Sequence, residues 1–129
     1  MTKKARILIV DDDELLAFSI QSSLCKLPNC DVDIVSGGQE ALRLFERQPF
    51  DVLITDYQMP GVNGVALATR IRQLYPQTSV IIITCYDENA LREQTDRAFI
   101  QHILGKPVWP SEMCALVSNV LEGERARAN

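Results

Sequence analysis

The sequence predicts an α/β domain built around a parallel sheet. Three observations lead there. Five short apolar runs, rich in β-branched residues, recur along the chain. Segments of helix length, with apolar residues near helical spacing, alternate with them. No linker, internal repeat or low-complexity stretch breaks the alternation. With 129 residues, a single domain over 1–129 is expected. Its core should span about 4–122, with 123–129 as a frayed tail or the start of a linker.

The first run, 5–10, ends in Ile7-Leu8-Ile9-Val10. Residues 14–27 follow as a helix carrying Leu15, Leu16, Phe18, Ile20 and Leu24, with Asp13 as its cap and Glu14 in its first turn. Residues 31–36 alternate around Val32, Ile34 and Val35, and residues 38–48 form a helix on Ala41, Leu42, Leu44 and Phe45. The third run, 51–55, holds Val52-Leu53-Ile54. The helix after it, 64–75, uses Val65, Leu67, Ile71 and Leu74 and is stopped by Pro76. Residues 79–84 form the most apolar run, Val80-Ile81-Ile82-Ile83. Residues 87–98 make a weakly amphipathic helix and 100–104 a weaker fifth strand. The last helix, 110–122, opens on a proline and carries Met113, Leu116, Val117, Val120 and Leu121. Each apolar run is too short for a helix and suits a strand buried on both faces.

Composition narrows the function. A net charge of −4 with scattered cations argues against nucleic acid as a partner of this domain. The Lys3-Lys4 pair and Arg6 read as a solvated terminus rather than a binding arm. Cys25, Cys30, Cys85 and Cys114 form no C-x-x-C pair, and His102 is the one histidine, so zinc is not expected. The cysteines read as reduced core or near-core residues, and His102 as a strand side chain without chemistry. The apolar run at 7–10 is too short to span a membrane and runs straight into acids. A cytoplasmic protein is expected.

In an open α/β sheet the functional crevice lies at the carboxyl ends of the strands. Here those ends read Asp11-Asp12-Asp13, Thr55-Asp56, Thr84-Cys85 and Gly105-Lys106-Pro107. Clustered carboxylates repel: two unit charges about 4 Å apart cost about 4 kcal/mol at an effective dielectric near 20. Such a cluster demands a cation unless some of its acids stay protonated, and an oxygen-only donor set favours a hard ion such as Mg²⁺. Lys106 offsets part of the charge and is suited to phosphate.

These motifs, in order, are Ile7-Leu8-Ile9-Val10-Asp11-Asp12-Asp13, Leu53-Ile54-Thr55-Asp56-Tyr57-Gln58-Met59-Pro60-Gly61-Val62-Asn63-Gly64, Ile82-Ile83-Thr84 and Lys106-Pro107. Together they resemble the response-regulator receiver family of two-component signalling, over roughly residues 4–122. The resemblance implies a doubly wound five-stranded parallel sheet of order 2-1-3-4-5, the flavodoxin-like receiver fold. It implies that Asp56 is the phosphoacceptor, attacking a phosphohistidine to form an acyl phosphate. It implies Mg²⁺ (or Mn²⁺) held by Asp12 directly, Asp11 largely through water, Asp56, and the backbone carbonyl of Gln58. By the resemblance, Lys106 matches the lysine that contacts the phosphoryl group, and Thr84 the hydroxyl that turns to hydrogen-bond it. Pro107 should follow a cis bond, and Pro60 and Gly64 should form the turn after the third strand, with Gly64 there for a left-handed backbone. The implied partners are a sensor histidine kinase or phosphotransfer protein, and an output domain after residue 129 or a second copy through the last strand–helix region. On this reading the chain is no enzyme beyond its own phosphorylation and dephosphorylation.

Several positions depart from the family pattern. Ile103 stands three residues before Lys106, where Tyr or Phe is common, so aromatic coupling is in doubt. Phe99 and Ile100 replace a Gly-Ala pair, Cys85 follows Thr84, and Val108 replaces Phe. These changes predict an unusual output surface on an ordinary phosphorylation site. Gln58 and Tyr86 match the positions that tune phosphoryl lifetime in the family. Trp109 either caps the sheet edge or offers a partner an aromatic anchor. Three other readings stand beside this one. A degenerate receiver would act as an interaction module without phosphorylation. A small aspartate-dependent phosphatase would use Asp11-x-Asp13, but Leu15 does not suit that motif. A flavin or nucleotide binder would want a glycine-rich loop after the first strand, and none is present.

Overall fold

The computed structural model describes residues 4–59, 61, 63–85, 88–94, 100 and 102–128. Ten elements alternate: β1 Ala5–Val10, α1 Glu14–Leu24, β2 Cys30–Val35, α2 Gly38–Arg47, β3 Val52–Asp56, α3 Gly64–Leu74, β4 Ser79–Thr84, α4 Glu88–Gln94, β5 His102–Gly105 and α5 Pro110–Ala128. The strands form one sheet of order β2-β1-β3-β4-β5, every pair parallel. This is the architecture and order the resemblance implies.

Strand alternation sends successive side chains to opposite faces. Ile7, Ile9, Val52, Ile54, Ile81 and Ile83 point to one face, where they pack with Ala17, Ile20 and Leu24 of α1 and Met113, Val117, Val120 and Leu121 of α5. Leu8, Val10, Leu53, Val80, Ile82 and Ile103 point to the other, against Ala41 and Phe45 of α2, Leu67, Ala68 and Ile71 of α3, and Leu91 of α4. Burying a side chain of this size stabilises the fold by roughly 1.5–3 kcal/mol. Two apolar layers explain why the central strands carry no polar alternation.

Four expectations need correction. The final helix does not end near residue 122 but continues to Ala128. Glu, Arg and Ala favour helix strongly enough to carry it past Gly123. Residues 25–27 leave α1, which closes at Leu24 with Cys25 as its C-cap. Leu15 and Phe18 do not join the core: they are 84% and 62% exposed. The buried face of α1 is Ala17, Ile20 and Leu24, a spacing of three and four that leaves positions 15 and 18 on the outer side. The cysteines divide: Cys30 and Cys114 are half-buried and pack against the core, as expected, but Cys25 and Cys85 are exposed.

A pocket of about 370 Å³ opens at the amino ends of the strands, lined in part by Arg6, Phe50, Asp51, Tyr75 and Thr78. Its polar groups brace the fold. The Arg6 guanidinium lies 4.2 Å over the Phe50 ring and donates to the Gln48 and Pro49 carbonyls. Thr78 Oγ1 donates to the Phe50 carbonyl at 2.7 Å. The acids gather at the opposite end of the sheet. Among the described residues, no helix is long and apolar enough to cross a membrane.

Candidate functional site

Parallel strands all end on one side, so side chains widely separated in sequence converge there. Asp11 follows β1 directly, and Asp56 is the last residue of β3. Asp11 and Asp56 are buried, Asp12 is exposed, and oxygen atoms of all three lie within 4.8 Å of one another. From β5 comes Lys106, whose Nζ stands 3.4 Å from Asp56 Oδ1. The Lys106 N–H donates to the Thr84 carbonyl at 2.7 Å, which ties the end of β4 to the lysine's backbone. Thr84 itself is fully buried. The Lys106–Pro107 bond is cis, as expected.

The Asp11 carboxylate is the strained member of the cluster. Its Oδ1 accepts from the Asp13 N–H at 2.9 Å. Its Oδ2 is buried with no hydrogen-bond partner among the described residues. Burial pushes its pKa up to about 6, and the charges of Asp56 and Asp12 push the same way; the Asp13 N–H and Lys106 oppose them. An orphaned, buried carboxylate oxygen beside two further carboxylates fits a hard divalent cation. With all three acids ionised, Lys106 leaves a net charge of −2, which one divalent ion cancels.

Asp13 does not join the cluster. It caps α1, its side chain accepting from the Leu16 N–H at 3.2 Å. Gln58 is exposed in the loop after β3. Ile103 is buried at 4% exposure among apolar neighbours of α3 and α4, so an inward-facing aliphatic stands where an aromatic was in question. His102 is half-buried on β5, and burial, followed by the nearby Arg92 charge, lowers its pKa. Tyr86, Pro60 and Phe99 lie outside the described residues. Trp109 is 63% exposed just before α5, which disfavours a role in covering the sheet edge.

The expectation for Gly64 was right in position and wrong in reason. Among the described glycines it is Gly61 that has positive φ, +85°. Gly64 opens α3, and a Cβ there would meet the Asp56 carbonyl oxygen at 2.1 Å. Glycine is required because backbone approaches backbone. No local pattern signals that contact, since it joins a strand end to a helix start across a loop. The outward direction of Leu15 and Phe18 could have been found from their offset to Ala17, Ile20 and Leu24.

Comparison with known proteins gives the family and the fold. The model of the response regulator receiver domain matches residues 7–118. Response regulator protein PilR of Pseudomonas aeruginosa is 31% identical over 118 residues, 92% of this chain and 26% of that protein. Response regulator UvrY of Escherichia coli is 28% identical over 120 residues, 92% of this chain and 55% of that protein. The chain thus spans between about a quarter and about half of the length of these relatives. Among solved structures, the CheY-like response regulator receiver domain protein from Methanospirillum hungatei superposes with a TM-score of 0.85 at 26% identity, covering 97% of this chain and 99% of that one. The signal receiver domain of an HD domain-containing protein from Pseudomonas fluorescens gives 0.87 at 26% identity, covering 99% and 94%. With the family match over most of the chain and the same sheet order, the chain belongs to the response regulator receiver domains of two-component signalling.

Proposed function

We propose that this receiver accepts a phosphoryl group on Asp56 from the phosphohistidine of a sensor histidine kinase or phosphotransfer protein. The phosphorylated state then changes the binding of a partner or the activity of an attached output domain. The observation that carries this reading is the meeting of the Asp56 carboxylate with the Lys106 ammonium, 3.4 Å away, beside Asp11 and Asp12. An Asp56 oxygen attacks phosphorus, the P–N bond of the donor breaks, and its electron pair stays with the imidazole. Lys106 balances charge on the phosphoryl oxygens. Thr84, at the end of β4, offers its hydroxyl to the same group and so links phosphorylation to the β4–α4–β5 region. Asp11, Asp12, Asp56 and the Gln58 carbonyl would hold Mg²⁺ (or Mn²⁺). The ion, when bound, offsets the charge that develops between carboxylate and phosphoryl group. The transfer happens once per acceptor, so no multiple-turnover activity on other substrates belongs to the proposal. Incubation with acetyl phosphate and Mg²⁺ should add one phosphoryl group, read by intact mass; an unmodified wild-type chain would overturn the reading.

Metal binding should depend on pH through Asp11. A coordinating carboxylate must be ionised, and this one titrates at about 6 without metal. Mg²⁺ affinity should be full above about pH 7 and fall by up to about tenfold per pH unit well below pH 6. The sign for stability is the reverse. The folded pKa of about 6 lies above the ordinary 3.8, so this group's stabilisation of the metal-free fold is fully present below 3.8. It is lost as pH rises through about 6, and amounts to about 3 kcal/mol at most. Calorimetric Mg²⁺ titrations between pH 5 and 8 check the first part, and melts in chelator the second.

The donor protein has a surface to meet. Leu15 and Phe18 lie early on α1, immediately after the acids, and Trp109 follows Lys106 closely; all three are exposed. Large apolar side chains beside a charged mouth suit the centre of a protein interface. Phe18→Asp should slow phosphotransfer from the cognate histidine kinase by tenfold or more, on the order of 2 kcal/mol. Labelling by acetyl phosphate, which needs no docking, should not change. Equal losses with both donors would remove α1 from the interface.

A further inference from the structure

The peptide that leaves Asp56 is held at both ends and packed on one side. Its N–H, on Tyr57, donates to the Ile83 carbonyl at 2.8 Å. Its carbonyl oxygen, on Asp56, accepts from Thr55 Oγ1 at 3.1 Å. Gly64 packs against that same oxygen, so closely that a Cβ would lie 2.1 Å from it. The following peptide is held as well, since the Tyr57 carbonyl accepts from the Gly64 N–H at 2.7 Å. The Tyr57 bond simply extends the β3–β4 ladder. The Thr55 bond has no such origin. A valine would suit this strand position equally well by shape and β-propensity. Thr55 is fully buried, and a buried hydroxyl is costly without a partner. This one spends its hydrogen on the carbonyl of the residue that reacts.

We infer that Thr55 is a positioning residue for the phosphorylation site. Its hydroxyl restrains ψ of Asp56 and φ of Tyr57, the two dihedrals through which the chain turns from strand to loop. Gln58 follows Tyr57 directly, so a shift of this peptide would carry its carbonyl along. Gly64 packs against the same carbonyl oxygen and limits its movement. The inference rests on the proposed role of Asp56 and the Gln58 carbonyl toward a divalent cation. Thr55 touches neither ion nor phosphoryl group, and acts through the backbone of the residues that do.

Thr55→Val removes the hydroxyl at nearly constant volume, and Thr55→Ser keeps it. Loss of one neutral hydrogen bond corresponds to about a fivefold change. Thr55→Val should weaken Mg²⁺ binding about fivefold, measured calorimetrically well below the melting temperature. The half-saturating acetyl phosphate concentration should be less affected than the maximal labelling rate. Thr55→Ser should restore wild-type Mg²⁺ affinity to within about twofold. If the valine variant does not fold, Thr55→Ala serves as the second hydroxyl-free variant, with the same expected loss. A folded hydroxyl-free variant that melts lower yet binds Mg²⁺ as wild type does would reduce Thr55 to a structural role and overturn the inference. A wild-type chain that binds no Mg²⁺ would instead bring down the underlying functional reading, which separates the two failures.

Discussion

Asp56→Asn should abolish phosphorylation by acetyl phosphate and by any phosphohistidine donor, while leaving the fold intact. The amide has the shape of the carboxylate but no anionic oxygen to attack phosphorus. It cannot form the acyl phosphate, so the loss should be complete rather than graded. Stability should hold or rise. Asp56 is one of the charges that hold the Asp11 pKa up, and the substitution removes that repulsion. Against this, Lys106 loses its ion pair, which is partly open to solvent and so worth little. Intact mass after incubation with acetyl phosphate and Mg²⁺ checks the chemistry, and a chelator-buffered melt checks the fold. A modified Asp56→Asn protein would place the nucleophile elsewhere, with Asp12 the nearest exposed candidate.

How much of this was legible in the sequence follows from the range of each determinant. Apolar, β-branched runs such as 80–83 announce buried strands because a strand covered on both faces has no polar side. The acids at 11, 12 and 56 and the lysine at 106 were legible because a parallel sheet puts every strand's carboxyl end on one side, wherever the strands sit. Strand order was not legible from the runs themselves and came only with the family resemblance. The direction of Leu15 and Phe18 was legible only through their offset from the Ala17, Ile20 and Leu24 stripe, not through their apolar character. The length of α5 past Gly123 rested on weak local propensities that a tail reading also accommodates. Gly64 shows the limit most clearly. Its contact with the Asp56 carbonyl belongs to neither local segment, and a turn rule supplied the right residue for the wrong reason.

Gly64→Ala should destabilise the domain by about 2–4 kcal/mol, although alanine is the better helix former by about 1 kcal/mol. The added Cβ would sit 2.1 Å from the Asp56 carbonyl oxygen and 3.0 Å from two further backbone atoms, the Asp56 carbonyl carbon and the Tyr57 Cα. None of these is the end of a flexible side chain, so relief requires α3 to slide or the 56–57 peptide to rotate. Either movement strains the Gly64 N–H bond to the Tyr57 carbonyl and the Asn63 cap on Ala66, which start the helix. The same movement disturbs the loop that carries Gln58, so Mg²⁺ affinity should fall together with stability. Two other glycines give the opposite balance of terms. At Gly61 an added Cβ meets nothing within 4 Å among the described residues, and the φ of +85° opposes it at a cost of about 1–2 kcal/mol. At Gly123 there is neither a contact among the described residues nor a positive φ, so Gly123→Ala should stabilise α5 by up to about 1 kcal/mol. Urea unfolding of the three variants separates steric, conformational and propensity effects within one chain. If Gly64→Ala proved no more damaging than Gly61→Ala, the peptide after the phosphoacceptor would have to be free to move, and its close packing could not be what holds the site in shape.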